Sequence, residues 1–275
     1  MIHVTKKNKS AIQRRLIPTY IFLIIVSFIS VFPLYWMISA ATNTSTDVSR
    51  GRIIPGSHFM ENFRNLTSQQ PLWRALGNSF FYAILTTVIC LLICSIAGYG
   101  FEVYHDKWKD RVFSILLLAM MVPQVATMVP LFKMFSKAGL LNTAVGFILP
   151  IISTPFMIMM FRQNARSFPV DIIEAARIDG LNEVRIFFQM FIPTMKSTYA
   201  AAAVITFMNA WNSYLWPKVI MTDNKAMTMP MLIANLITGY VTDYGMLMCG
   251  VLFCSIPTMI VFFVSVSYTH LTLPT

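Results

Sequence analysis

The chain has 275 residues, of which 56% are hydrophobic and only 12% are charged, whereas a typical soluble domain carries about 25% charged residues. So small a charged fraction cannot coat a water-soluble surface, and the apolar residues form long blocks separated by short polar stretches, which excludes a soluble globular fold. The net charge of +10 does not indicate a nucleic-acid partner, because the Lys and Arg residues lie between the apolar blocks, as in the cytoplasmic loops of membrane proteins.

The N-terminal segment, residues 1–15, is basic and precedes the apolar run 16–41. A secretory signal has a shorter apolar core of about 7 to 15 residues, so we interpret this run as a retained signal-anchor helix. The basic residues ahead of it are Lys6, Lys7, Lys9, Arg14 and Arg15.

Further apolar blocks follow, each near the roughly 20 residues that a helix needs to cross the hydrocarbon core. They are residues 78–101, 112–135, 143–161, 197–216 and 244–266. We therefore predict an all-α polytopic membrane protein with about six spanning helices, forming one transmembrane domain over residues 16–266. Pro33, Pro123 and Pro130 lie inside predicted spans, where proline kinks or unwinds a helix.

Basic residues in alternate loops predict the orientation. A cytoplasmic N-terminus places 13 of the 21 Lys and Arg residues on the cytoplasmic side and eight on the other, and this bias sets topology. Both termini are then predicted to be cytoplasmic. The mixed charges from Glu102 to Arg111 are interpreted as a solvated turn between two spans.

The sequence indicates neither a metal site nor a nucleotide site. Cys90, Cys94, Cys249 and Cys254 lie inside apolar blocks without metal-ligand spacing, so we interpret them as buried free thiols. A phosphate-binding loop of the type G-x-x-x-x-G-K-[ST] does not occur in the sequence. We expect no cofactor in this chain and no catalytic residue, so the energy for its function must come from another polypeptide.

The polar segment 162–196 predicts two short helices joined by a sharp turn. The first follows Pro169, with Asp171 and Glu174 spaced as in a capping box. Asp179-Gly180 ends it, because glycine after a helix adopts a left-handed conformation.

The second short helix is predicted to start after Asn182, a favourable N-cap residue, and to end at Pro193. Its apolar residues recur at helical spacing and predict one apolar stripe. They are Val184, Phe187, Phe188, Phe191 and Ile192. An alternative interpretation is an amphipathic helix that only anchors the loop in the headgroup region.

The run Glu174-Ala175-Ala176-Arg177-Ile178-Asp179-Gly180, followed by Phe187 and Ile192-Pro193, closely resembles the EAA motif of ABC importer membrane subunits. The resemblance implies a type I ABC importer permease fold in which this loop is the coupling helix that docks on a cytoplasmic ATPase subunit. It implies that Glu174 contacts the ATPase, that Ala175 and Ala176 allow close approach, and that Asp179-Gly180 forms the turn.

Three further stretches resemble the carbohydrate branch of that family, specifically the smaller maltose-type permease subunit. They are Asn78-Ser79, Pro123-Gln124 and the run from Trp211 to Pro217. The implied partners are a second homologous permease subunit, an ATPase dimer that binds ATP and Mg, an extracytoplasmic sugar-binding protein and membrane lipid in the bacterial cytoplasmic membrane. Relatives end in a basic, Gly-rich tail that residues 267–275 lack, so we interpret this tail as a truncation or a sequence-assembly junction.

Four amides, Asn78, Gln124, Asn209 and Asn212, lie at predicted membrane depth and are candidates for the sugar pathway. They are equally the kind of side chain that joins helices by hydrogen bonds. Two other functions stay open at this point: a membrane-embedded lipid-modifying enzyme, which needs clustered ionisable groups, and an ion-coupled secondary transporter, which needs acids inside its spans.

Overall fold

The computed structural model describes residues 6–238 and 242–272, with side chains for 16–238 and 242–265. The side chains of the basic N-terminal segment and of the tail 267–275 therefore lie outside the described part. Every regular element in the described ranges is helical. The all-α prediction is confirmed.

The chain divides into two units, Met1–Gln69 with Gly239–Leu252 and Gln70–Thr238 with Phe253–Thr275. The first unit contains three helices and the start of the last one: α1 (Lys6–Ala41), α2 (Ser45–Ser49), α3 (Phe59–Gln69) and the first residues of α15 (Tyr244–Thr272). Within it, buried Asn62 donates from Nδ2 to the carbonyls of Ala41 and Asn43, each at 2.9 Å. These bonds fix the end of α1 against α3.

The second unit begins with the long helix α4 (Leu72–Val103). The helices after it are α5 (Lys107–Ala119), α6 (Gln124–Lys137), α7 (Ala144–Ile148), α8 (Pro155–Ala165), α9 (Val170–Ile178), α10 (Glu183–Ile186), α11 (Ile192–Thr194), α12 (Lys196–Trp211), α13 (Leu215–Ile220) and α14 (Met229–Ile237). A π-helical turn, Phe187–Phe191, joins α10 to α11, and a 3-10 turn, Asn224–Ala226, precedes α14.

Three described helices are long and apolar enough to cross a membrane: Leu16–Ala41, Leu72–Val103 and Tyr244–Ser265. The pair α5 and α6 makes a fourth if it is one broken span. The predicted span 143–161 is divided into α7 and α8, and α12 has only 16 residues. Six spans thus stay a prediction, because α7, α8 and α12 are each too short to cross the hydrocarbon core alone.

Proline has different effects at its three predicted positions. Pro123 lies at the break between α5 and α6, whose axes differ by 100°, so the predicted interruption there is confirmed. Pro33 and Pro130 lie inside continuous helices, α1 and α6, and the chain does not unwind at either position.

The core of the second unit forms where α4 packs on α8 and α12. Cys90 and Cys94 are fully buried there with Phe161 and Ala202, as the sequence predicted for these thiols. Gly98 allows this close approach, because a Cβ atom at Gly98 would lie 2.6 Å from the Cβ of Phe161. The position of α8 on α4 therefore depends on a glycine that no sequence motif marks.

Candidate functional site

The segment 169–194, called the elbow below, folds back at Gly180 between α9 and α10. Gly180 has a φ of +80°, in the left-handed region that favours glycine. A Cβ atom at Gly180 would meet nothing within 4 Å, so the backbone conformation, and not lack of space, accounts for the glycine. The predicted glycine turn is confirmed.

Only one of the two predicted caps forms. The Asn182 side chain accepts a hydrogen bond from the Arg185 N–H at 2.9 Å and caps α10 as predicted. The capping box of Asp171 and Glu174 is wrong: Pro169 occupies the N-cap position of α9 and makes no side-chain cap bond. Asp171 falls instead inside the first turn, where its charge still suits the positive end of the helix.

The predicted single apolar stripe of the second helix is also wrong. Phe187 and Phe191 are buried, with stacked rings 5.5 Å apart, whereas Val184 and Phe188 are exposed. The physical reason is the π-helical turn over Phe187–Phe191, which changes the angular spacing of side chains along the helix. Pro193 does not end the helical run either, because it lies inside α11.

The inner face of the elbow packs on the end of α4. Ile173 and Ala176 from α9 join Ile186 and Phe191 in a core that includes Tyr99 of α4. Ala176 is 4% exposed. The expectation that Ala176 provides close approach for a partner is corrected: its small side chain lets α9 approach the rest of this chain.

The outer face of the elbow is left uncovered by the described residues. Glu174, Ala175 and Asp179 are exposed, and Ile178 is 87% exposed. The Glu174 carboxylate has no hydrogen bond or ion pair with any described residue. An acidic side chain beside an uncovered apolar one, on a helix held from behind, is suited to docking against another protein.

Three side chains, called the clasp below, tie the turn to the end of α4. Arg177 donates from Nε to Glu183 Oε1 at 2.7 Å, and the Tyr104 hydroxyl donates to the other Glu183 oxygen. The hydrogen bond from Arg177, and to a smaller extent that from Tyr104, lowers the pKa of Glu183. Burial, and to a smaller extent the hydrogen bond to Glu183, raises the pKa of Tyr104. Glu183 therefore stays ionised and bridges both arms of the turn.

A second polar cluster corrects the interpretation of residues 102–111 as a solvated turn. Arg162 is buried and donates from Nε to Glu102 at 3.2 Å and from Nη2 to Asp110 at 2.6 Å. Its guanidinium lies 4.3 Å from the centroid of the Phe113 ring. Two of the acids of this segment, Glu102 and Asp110, thus pair a buried cation and join α4, α5 and α8.

Three of the four amides proposed for the pathway line one cavity. Gln124, Asn209 and Asn212 border a space of about 750 Å³ together with Tyr214 and Trp216. The side chains of Gln124 and Asn209 make no hydrogen bond with the described residues, whereas Asn212 donates to the Met208 carbonyl at 2.9 Å. Free amides and aromatic rings at one cavity are suited to a polyhydroxylated ligand.

Asn78 is separate from this cavity. Its side chain donates to the carbonyls of Lys225 and Met227 at 2.9 and 2.8 Å. Asn78 therefore joins α4 to the segment before α14, in agreement with the alternative of interhelical hydrogen bonding.

Comparison with known proteins adds three likenesses. Residues 91–272 match the family described as binding-protein-dependent transport system inner membrane component. The chain is 40% identical to the lactose transport system permease protein LacG of Rhizobium radiobacter over 92% of this chain and 94% of that protein. It is 36% identical to the arabinooligosaccharides transport system permease protein AraQ of Halalkalibacterium halodurans, over 86% and 87%.

The fold is also similar to that of a chain in the crystal structure of a bacterial ABC transporter involved in the import of the acidic polysaccharide alginate. The TM-score is 0.84 at 19% sequence identity, and the match covers 98% of this chain and 99% of that chain. At this identity the likeness concerns the fold, which agrees with the importer permease fold expected from the motif.

Proposed function

Because the chain belongs to the family of binding-protein-dependent transport system inner membrane components, we propose that it is a membrane-spanning subunit of an ATP-driven importer for mono- or oligosaccharides. Two relatives named above carry lactose and arabinooligosaccharides in their names. Subunits of this family are not enzymes, since a partner ATPase hydrolyses the ATP. Family membership favours this function over a lipid-modifying enzyme and over an ion-coupled transporter.

The observation that carries the proposal is the elbow, with an uncovered acidic outer face and an inner face packed on α4. A loop transmits motion between proteins only if it is stiff and is contacted differently in two states. Tyr99 and Phe191 supply the stiffness from within the chain, and Glu174 and Ile178 supply the surface for the ATPase. Closure of the ATPase dimer then moves the elbow and α4 together.

The proposal includes the partners of the chain. The ATPase dimer binds ATP and Mg and docks on the elbow, and the sugar is delivered by a binding protein on the opposite side. A second homologous permease subunit completes the pathway beside the cavity of Gln124 and Asn209. Membrane lipid covers the exposed apolar side of α1. The N-terminus is cytoplasmic in the bacterial inner membrane, as the basic residues favour.

Sugar uptake by vesicles that contain the assembled transporter tests the coupling role. Glu174→Lys reverses a docking charge, and Gly180→Val places a β-branched residue at positive φ. Glu174→Lys is expected to lower uptake about tenfold or more, because a reversed docked charge costs at least about 1.4 kcal/mol. Gly180→Val is also expected to lower uptake, because the strained turn misplaces the docking face. Matched controls are Glu61→Lys at another exposed glutamate and Gly139→Val, whose glycine has a φ of +68°.

Cross-linking tests the partner directly. A cysteine at exposed position 175 is expected to cross-link to the ATPase subunit, whereas a cysteine at buried position 176 is not. Normal uptake by both elbow variants, or equal cross-linking from the two positions, would contradict the docking of this face.

A further inference from the structure

An apolar groove of about 720 Å³ lies between the last turns of α4 and the first turns of α5. Ala97, Gly100 and Phe101 form one wall, and Trp108 and Val112 form the other. A Cβ atom at Gly100 would meet no atom within 4 Å, so the missing side chain leaves open space in the groove. Its volume can hold a hydrocarbon chain, and it shares no lining residue with the cavity near Gln124.

The charges beside the groove are unevenly satisfied. Lys109 donates from Nζ to the Tyr104 carbonyl and to Asp106, each at 2.5 Å, and Asp110 binds Arg162. Lys107 and Arg111, by contrast, are exposed and have no ion pair within the described ranges. They stand four residues apart on α5, each next in sequence to a groove residue, so two unpaired cations belong to the helix that forms one wall, whereas Lys109, which lines the groove itself, is paired.

The end of the candidate span predicts that the groove lies at the boundary between hydrocarbon and headgroups. The candidate span formed by α4 ends at Val103, and α5 begins at Lys107. Trp108 is 70% exposed, and tryptophan is enriched at this level because its ring is apolar and its N–H is a donor. At this depth an exposed apolar groove is suited to an acyl chain, and exposed cations such as Lys107 and Arg111 are suited to a phosphate.

The clasp indicates the side of the membrane. Tyr104 borders the groove and its hydroxyl donates to Glu183 of the elbow, so groove and elbow share one membrane surface. If the elbow docks on the ATPase, as proposed above, that surface is cytoplasmic. The cytoplasmic leaflet carries the anionic lipids that attract basic residues near the membrane.

We propose that this groove is a binding site for an anionic phospholipid, with one acyl chain between α4 and α5 and the phosphate at Lys107 and Arg111. Only the assignment to the cytoplasmic leaflet rests on the proposed transport function. The lipid contacts the back of Tyr104 and so supports the end of α4 to which the elbow is tied.

Photolabelling of the assembled transporter tests the site. The transporter is placed in nanodiscs of equal phosphatidylcholine and phosphatidylglycerol, and one of the two lipids carries a diazirine in its acyl chain. We expect phosphatidylglycerol to label peptides within residues 97–112 in preference to phosphatidylcholine. Gly100→Leu adds a side chain to the groove wall at a position where a Cβ atom meets nothing within 4 Å, and it is expected to reduce that labelling to background.

The cations are tested by Lys107→Gln combined with Arg111→Gln. Labelling by phosphatidylglycerol is expected to fall about 25-fold, about fivefold for each cation removed. Two matched variants control the comparison. Gly77→Leu changes another open glycine of α4, and Lys133→Gln with Lys137→Gln removes two exposed lysines with the same spacing on α6.

Three results would overturn the proposal: equal labelling by the two lipids, labelling that survives Gly100→Leu, or a cross-link from position 108 to another subunit that shows the groove to be a protein interface. The two proposals can fail separately. The transport proposal is tested by the effect of Glu174→Lys on uptake, and this substitution does not alter the groove. Lipid labelling and sugar uptake therefore report on separate statements.

Discussion

Glu183 is the residue on which the geometry of the elbow depends most directly. Its carboxylate accepts hydrogen bonds from Arg177, in the other arm of the turn, and from Tyr104 at the end of α4. Tyr104 lies 79 positions earlier in the sequence. No local pattern indicates such a contact, because glutamate in the first turn of a helix is common and its partner is set by the tertiary fold. The Gly180 turn and the Asn182 cap were predictable because their causes lie within four residues of each other.

We expect Glu183→Gln to lower sugar uptake about fivefold through a misdirected elbow. The midpoint of thermal unfolding should hardly change, because the clasp is largely exposed. Arg177→Glu combined with Glu183→Arg should restore part of the uptake, and Arg185→Ala on the same helix serves as the control. A loss of uptake that the charge exchange does not rescue, or one that follows a lower unfolding midpoint, would contradict a positioning role.

The pH dependence of the clasp follows from the lowered pKa of Glu183. A carboxyl whose folded-state pKa is depressed stabilises fully above its unfolded value and loses that effect only as the pH falls through the folded value. The ratio of wild-type uptake to Glu183→Gln uptake should thus be constant between about pH 6 and pH 8.

At the scale of elements, the contact of α4 with α8 sets the frame that supports both the elbow and the cavity. The sequence indicated α4 by its apolar length, but the close approach at Gly98 depends on which face of α4 meets Phe161. A glycine inside a spanning helix has several possible causes, and only the packing distinguishes them. The π-helical turn at Phe187 was equally unpredictable, because its apolar residues fit an ordinary helical period.

Gly98→Ala is expected to destabilise the protein by about 1 to 3 kcal/mol, since the new methyl group would overlap Phe161 and the Arg162 backbone. Thermal unfolding of the purified protein in detergent measures the change. Gly77→Ala is the matched control in the same helix, because a methyl group at Gly77 meets no atom within 4 Å. Equal unfolding midpoints for the two variants would show that α8 can move away from α4 at little cost.

At the scale of the whole molecule, the apolar blocks predicted the all-α membrane fold, and the order of residues 174–180 predicted the family. The number of spans was less accessible, because α7, α8 and α12 are short and are joined at breaks. The four amides were also not equivalent. Depth in the membrane is readable from sequence, but the sequence does not show whether a side chain faces a cavity, as Gln124 does, or a backbone carbonyl, as Asn78 does.

This difference yields a prediction for the pathway. Asn209→Leu should lower uptake about tenfold, because the cavity loses an amide that can bind the ligand. The unfolding midpoint should be retained, because that amide makes no hydrogen bond with the described residues. Asn78→Leu should instead lower the unfolding midpoint, since two carbonyls lose their donor. The two variants, compared for uptake and for thermal unfolding, separate a ligand-facing amide from a structural one. Identical profiles would contradict the assignment.

The burial of Ala176 in the core that includes Tyr99 limits which elbow residues can change when the transporter is combined with a different ATPase subunit. The inner side of the elbow packs on the rest of its own subunit, so if the elbow docks on the ATPase as proposed, adaptation to a different ATPase is confined to the few outward positions around Glu174 and Ile178. A hybrid transporter should accept the ATPase subunit of another importer after substitution of those outward residues alone. Grafting the entire loop, by contrast, would also transfer an inner side whose residues fit the aromatic core of a different subunit.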